Sequence, residues 1–339
     1  MDKAPRVSVV LPCYNAARTI GRALDSLLAQ TYAAFEVVVI DDGSRDGSSR
    51  LVARCAQRDE RVRLIRQKHA GIVAALNQGL AVARGSLIAR MDADDVALPE
   101  RLARQVGFLE DHPEIGVVSC EVRLVGRNPA EGYASYVRWV NGLHAPEEIA
   151  LQRFRESPLV HPAVMYRREL VERYGGYCAG DFPEDYELWL RWLEAGVRMM
   201  TLPEVLMEWH DHEGRLSRTH TRYRREAFYC VKADYLARWL ARHNPHHPAV
   251  VIGGAGRLTR RRAELLQARG VVIVAYADVD RRKVGRIYHG APVIHIDEIP
   301  GPESCFLLPY VGARGAAEAW QAFLERRGFI AGKSYLLAA

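Results

Sequence analysis

The chain has no apolar run near the ~20 residues that cross a bilayer, and Val7–Leu11 is too short for the apolar core of a signal peptide. A cytoplasmic protein is therefore expected, with work at the inner face of the membrane left open. The six cysteines, at 13, 55, 120, 178, 230 and 305, include no C-x-x-C pair. That argues against a zinc ribbon or a disulfide framework and fits a reducing compartment. Lysine is scarce: it supplies five of the 47 basic residues, at 3, 68, 232, 283 and 333. No stripe of basic residues interleaved with aromatics accompanies the net charge of +6, so no nucleic-acid partner is expected. No G-x-G-x-x-G follows the first apolar run and no G-x-x-x-x-G-K-[ST] occurs anywhere. Dinucleotide and P-loop readings of the first half are therefore weak.

What is present fits a soluble α/β protein. The 339 residues suffice for two domains, with 49% hydrophobic and 26% charged residues. Val7–Leu11, Phe35–Ile40, Val62–Ile65 and Leu87–Met91 read as buried strands, each followed by a helical pattern. The helix after Asn15 has Ile20, Leu24, Leu27 and Leu28 on one face, with Asn15 as its N-cap. A further helix runs from Ile72 to Ala83. This alternation predicts a parallel doubly wound sheet whose strand-end turns share one edge. Three of those turns have unusual chemistry: Pro12–Asn15, Asp41–Ser44 and Asp92–Asp95. Together they suggest a nucleotide-binding crevice.

Asp92, Asp94 and Asp95 lie within four residues. Clustered carboxylate oxygens suit a hard divalent cation, and such a cation suits a diphosphate. A solvated turn leading to the helix near Pro99 is the plainer alternative.

Val-Val-Leu-Pro-Cys-Tyr-Asn at 9–15, Val-Ile-Asp-Asp-Gly-Ser at 39–44 and Met-Asp-Ala-Asp-Asp at 91–95 resemble family 2 glycosyltransferases of the GT-A fold. His161–Arg167 resembles the strand after the acceptor loop, and Glu184–Arg191 the segment with the catalytic base. The resemblance spans roughly residues 5–220. It implies a GT-A type, mostly parallel sheet with helices on both faces. It also implies inverting, metal-dependent transfer of a sugar, from a UDP-sugar or another nucleotide-sugar donor, to a hydroxyl acceptor. The acceptor would be a saccharide or lipid-linked saccharide in polysaccharide or glycan biosynthesis at the cell envelope.

Residue by residue, the resemblance implies that Asp42 reads the nucleotide base and that Pro12, Tyr14 and Asn15 line base and ribose. Asp92 would face the ribose or diphosphate. Asp94 would be the main Mn²⁺ or Mg²⁺ ligand, with Asp95 secondary. Asp185 would be the general base and Glu184 a supporting residue. His212 matches a family histidine that contacts metal or phosphate. His210 stands where relatives often carry an Arg, and Arg215 where they carry the first Ser, so the family's diphosphate contacts do not carry over directly; Arg215 and Arg218 could contact phosphate or simply line a basic surface. The structural alternative for Glu184 and Asp185 is a pair of helix N-terminal acids after Pro183. Residues 126–156 read as an irregular excursion with Tyr133, Tyr136, Trp139 and His144, on the acceptor side by resemblance.

Two other functions fit parts of the pattern. A nucleotidyltransferase would also use a parallel sheet and acidic metal ligands, but its Gly-rich, Lys-containing first loop is missing. A non-catalytic nucleotide-sugar sensor is the other.

Beyond 220 the pattern changes. Residues 221–247 read as a helical extension and linker, ending in His243–Pro248. Residues 248–339 read as a smaller Rossmann-like α/β domain: strand Ala249–Ile252, turn Gly253-Gly254-Ala255-Gly256, an Arg-rich helix, strand Val271–Tyr276, and a helix over 313–327. Asp278 sits where a ribose-binding acid would, but Thr259 replaces the third glycine of the fingerprint. Nucleotide binding, acceptor binding, homo-oligomerisation and a purely structural role are open for this domain.

Overall fold

The apolar runs of the N-terminal half form strands where their pattern places them. In the computed structural model, which describes residues 5–126, 131–313 and 315–339, these are β1 (Val7–Cys13), β2 (Phe35–Asp41), β3 (Val62–Arg66) and β4 (Leu87–Arg90). Between them lie α1 (Ile20–Leu28), α2 (Ser48–Ala56) and α3 (Ile72–Val82). The four strands pair in parallel, β3-β2-β1-β4. Every residue of β1 and β2 is buried, as helices on both faces require.

The sheet then continues with mixed direction. After β5 (Val96–Ala97) come α4 (Arg101–Asp111), β6 (Ile115–Val125), α5 (Glu131–Val140), α6 (Pro146–Gln152), β7 (Met165–Arg167), α7 (Glu169–Tyr174), α8 (Glu184–Glu194), β8 (Arg198–His210) and α9 (Leu216–Thr219). The full order is β3-β2-β1-β4-β7-β6-β8-β5, with β7 antiparallel to both neighbours. Trp189 and Trp192 are fully buried, as their spacing with Leu188 and Leu193 suggests.

The edge of the sheet away from the acidic turn is held by a buried polar network. The Ser8 hydroxyl donates to Glu36 Oε1 (2.6 Å), and Glu36 Oε2 pairs with Arg63 (2.6 Å) and Arg84 (2.8 Å). Burial works to raise the Glu36 pKa, but these bonds hold it below its ordinary value. Gly85 donates its N–H to Ser8 Oγ, and a Cβ there would lie 2.6 Å from the Ser8 nitrogen.

Three local expectations change. Asn15 does not cap α1, which starts at Ile20 after Thr19. Asn15 instead has φ 49° and ties two turns together, as described below. Pro12 and Cys13 belong to β1 rather than to a turn. The stretch 126–156, expected to be irregular, carries α5 and α6; its residues 127–130 lie outside the described residues. Tyr133, Tyr136, Val137 and Val140 repeat at helical spacing, which the neighbouring Gly, Asn and Pro obscured.

By internal contacts the chain divides into two units, Met1–Ala150 with Pro158–His220, and Leu151–Ser157 with Thr221–Ala339. The second unit contains α10 (Arg225–His243), β9 (Ala249–Gly253), α11 (Arg257–Gln267), β10 (Val272–Asp278), β11 (Ile287–Tyr288), β12 (Ala291–His295), β13 (Leu307–Pro309) and α12 (Ala316–Arg326). Its smaller sheet has the order β11-β12-β10-β9-β13. Leu151–Ser157 is built into this unit: Phe154 packs edge-on against Trp239, Arg155 pairs with Glu318 (2.5 Å), and Lys232 Nζ donates to the Arg155 carbonyl (3.2 Å). Among the described residues, no helix is long and apolar enough to cross a membrane.

Candidate active site

The parallel strands β1 to β4 end at one edge of the sheet. There the turns after β1 and β2 are laced together. The Asn15 amide donates to Ser44 Oγ (2.9 Å), and Asn15 Oδ1 accepts from the Arg45 amide (2.9 Å). The Ala17 amide donates to Asp46 Oδ2 (2.9 Å). Tyr14 stands exposed beside this lacing, while Pro12 is buried within the strand.

Asp42 is nearly inaccessible, and its carboxylate is already engaged. Oδ1 accepts from Gln67 Nε2 (2.7 Å) and the Ala70 amide (2.8 Å). Oδ2 accepts from the Gly71 amide (2.9 Å) and lies 2.8 Å from His69 Nδ1. These four partners fill the carboxylate's usual acceptor sites. The His69 ring stacks on Tyr14, with centroids 4.2 Å apart.

The acidic turn follows β4. Ligand oxygens of Asp92, Asp94 and Asp95 all lie within 4.8 Å of one another. Two buried side chains of α4 brace the backbone around it: Arg101 Nη2 donates to the Arg90 carbonyl at the end of β4 (2.7 Å), and Gln105 Nε2 to the Ala163 carbonyl ahead of β7 (2.8 Å). Asp92 Oδ1 pairs with the buried Arg90 guanidinium (2.6 Å). Asp94 Oδ2 lies 2.7 Å from His212 Nε2, and its carbonyl accepts from Arg22 (2.9 Å). Asp95 is fully buried; Oδ1 accepts from the His210 amide (2.8 Å), and Oδ2 has no hydrogen-bond partner among the described residues.

The three acids are electrostatically unequal. Burial, then the charges of Asp94 and Asp92, push the Asp95 pKa well above the carboxylate range. Burial opposes the Asp94 carboxylate too, but His212 and Arg215 bring its pKa below the ordinary value. A buried carboxylate oxygen without a donor, beside two more carboxylates, is a charge arrangement that a hard divalent cation relieves. Asp92, Asp94 and Asp95 therefore fit such an ion, and their oxygen donors suit Mg²⁺ or Mn²⁺.

Arg215 is held rather than free. Its guanidinium lies 4.1 Å over the Trp209 ring and donates to the His210 carbonyl (3.0 Å). Arg218 pairs with Asp211, and Tyr133 of α5 meets Ser217 (3.0 Å). The segment carrying His212 is thus anchored on both sides.

Asp185 lies in the first turn of α8, after Pro183 as N-cap. Burial, then the neighbouring Glu184 charge, raise its pKa to about 7, while Arg90 pulls the other way. Arg90 thus touches Asp92 directly and acts electrostatically on Glu184 and Asp185. The Arg90 charge also reaches His161, whose Nε2 meets the Tyr177 hydroxyl (2.8 Å). Burial, then the Arg90 charge, lower the His161 pKa well below its usual value.

Sequence reasoning missed Arg90, His69, Arg101 and Gln105. Arg90 had a signal: a charge inside the apolar run Leu87–Met91 requires a buried partner. His69 had none, because its role depends on a carboxylate that lies far from it in sequence.

The model of the family "Glycosyl transferase family 2" matches residues 8–175. The putative glycosyltransferase EpsE of Bacillus subtilis is 33% identical over 211 residues, 61% of this chain and 73% of that protein. The amylovoran biosynthesis glycosyltransferase AmsE of Erwinia amylovora is 32% identical over 204 residues, 59% and 74% of the two chains. Among solved structures, a mannosyltransferase from Pyrobaculum calidifontis in complex with GDP-Man and Mn²⁺ aligns with TM-score 0.50 and 26% identity. That match covers 71% of this chain but 64% of the other, less than two thirds of its length. S. aureus TarS 1-349 in complex with UDP-GlcNAc aligns with TM-score 0.53 over 70% of this chain and 73% of that one. At 20% identity this likeness speaks to the fold alone.

Proposed function

We propose a specific reaction for this chain, which belongs to glycosyl transferase family 2: inverting, metal-dependent transfer of a sugar from a nucleotide-sugar donor, a UDP-sugar, to an acceptor hydroxyl. The observation that carries it is Arg90, whose guanidinium bonds Asp92 and whose charge also acts on Asp185. One buried cation thereby connects the acidic turn to the proposed base.

In this reading Asp185 takes the proton of the acceptor hydroxyl as the hydroxyl attacks the anomeric carbon. A carboxyl raised to about 7 is a stronger base than an ordinary Asp and still ionises near neutral pH. One base, with attack opposite the leaving group, gives inversion. Asp94 and Asp95, with Asp92 toward the donor, would hold Mn²⁺ or Mg²⁺. When bound, the cation offsets charge that develops on the departing nucleoside diphosphate. His212, already on Asp94, orients that carboxylate and is a candidate ligand itself. The diphosphate role of Arg215 requires it to leave Trp209.

The acceptor is a saccharide or lipid-linked saccharide, a reading supported by the amylovoran and O-antigen biosynthesis named for two relatives. The second unit is read as a Rossmann-like fold in which the glycine turn serves packing. A Cβ on Gly254 would lie 2.3 Å from a Val311 methyl. Asp278, at the ribose-binding position, is occupied by the Ala255 amide (2.8 Å) and Lys283 (2.9 Å).

The test is product formation from UDP-sugars by the purified full chain with Mn²⁺, with the anomeric configuration read by NMR. Transfer with retained configuration would overturn the single-base mechanism.

A further inference from the structure

The carboxylate expected to read the nucleotide base has its acceptor sites occupied. Asp42 receives Gln67, His69 and the amides of Ala70 and Gly71, and is almost fully buried. An incoming base N–H would have to displace one of these bonds.

His69 stands between that carboxylate and solvent. Its Nδ1 lies 2.8 Å from Asp42 Oδ2 and 3.1 Å from the Asp42 carbonyl oxygen. Both neighbours are acceptors, so Nδ1 carries the proton. In the neutral ring, Nε2 is then an acceptor. The side chain is 55% exposed, and its plane is fixed by the stack on Tyr14. The arrangement is a carboxylate orienting an imidazole, so that the far nitrogen presents one defined hydrogen-bonding character.

An acceptor at this place matches a base whose ring edge carries N–H. Uracil and thymine carry it at N3 and guanine at N1; adenine and cytosine carry lone pairs at the equivalent atoms and oppose another acceptor. We propose that His69 Nε2 reads the nucleobase of the donor and selects keto bases, with Asp42 as the positioning residue that sets the histidine tautomer. This rests on the nucleotide-sugar reading above and adds the group that chooses the base.

The test is calorimetric titration of the full-length chain, with Mn²⁺, against UDP, GDP, ADP and CDP. The wild type should bind UDP or GDP at least about tenfold more tightly than ADP and CDP, the scale on which a mismatched polar contact discriminates. His69→Ala should lose that preference by weakening the keto nucleotides while leaving ADP and CDP unchanged. His69→Gln, which can turn its amide oxygen outward, should recover part of it. Unchanged melting temperatures show that the variants fold. A preference that survives His69→Ala, or a wild type that favours ADP or CDP, would overturn the assignment. A wild type that binds none of the four removes the donor-site reading, and this proposal falls with it.

Discussion

His212 Nε2 lies 2.7 Å from Asp94 Oδ2, across 118 residues of sequence. The contact joins the segment after β8 to the acidic turn after β4. It does so at the carboxylate expected to bear most of the metal's charge, so both residues should report on the cation.

Asp94→Ala should abolish transfer and also the thermal stabilisation that Mn²⁺ gives the wild type. Stabilisation by a bound ligand follows its concentration relative to its dissociation constant, so a melting series in Mn²⁺ reads it directly. Chelation should silence the wild type and leave Asp94→Ala as inactive as before. A variant that melts with an undiminished Mn²⁺ shift would place the ion elsewhere.

Asp185→Asn should reduce kcat by roughly a thousandfold without lowering the melting temperature, the usual scale of lost general-base catalysis. The wild-type rate should depend on pH with a defined sign. The base works ionised, and its pKa stands at about 7, so activity climbs as pH rises and levels off above that value. A rate that is flat from mildly acidic to mildly alkaline pH would argue against Asp185.

Arg90→Met should destabilise the fold by about 1–3 kcal/mol, because it takes from the partly exposed Asp92 carboxylate its buried cationic partner. Denaturant unfolding measures this. Arg90→Lys retains a charge and should fold better. In any active Arg90 variant with the charge removed, the acid limb of the rate profile should move to higher pH, since the guanidinium favours the ionised form of Asp185.

Glu36→Gln should cost about 2–3 kcal/mol at neutral pH by weakening its bonds to Ser8, Arg63 and Arg84. The folded pKa of Glu36 is depressed, so its contribution is present above the ordinary value near 4.5 and is lost as pH falls through the folded value. The gap between wild type and variant in urea midpoints should therefore close in acid. A gap of constant size would mean that lost packing, not charge, is what the substitution removes.

Much of the sheet was legible because buried parallel strands announce themselves as β-branched runs between helical patterns. Phe35–Ile40 and Leu87–Met91 each fell within a residue of the observed strand ends. The acidic turn was legible for the same reason: its residues are adjacent in sequence. What stayed hidden was non-local. Asn15 has the chemistry of a helix cap, yet the fold spends that chemistry on Ser44 and Arg45. The bonds that Gln67, His69, Ala70 and Gly71 make to the Asp42 carboxylate were hidden in the same way, because they join residues more than twenty positions apart. α5 was masked because a helical repeat of Tyr and Val lay among residues that favour turns.

Leu151–Ser157 belongs with Thr221–Ala339, although about sixty residues of the other unit lie between them. The gene for the first unit therefore cannot be excised with a single cut. A fragment stopped after His220 would keep Phe154 and Arg155 while losing Trp239 and Glu318, and would leave the Phe154 ring without its edge-on aromatic partner. A recombination breakpoint at the same place would meet the same obstacle. The two units should travel through evolution as a single heritable block, except where the 151–157 segment is replaced as well.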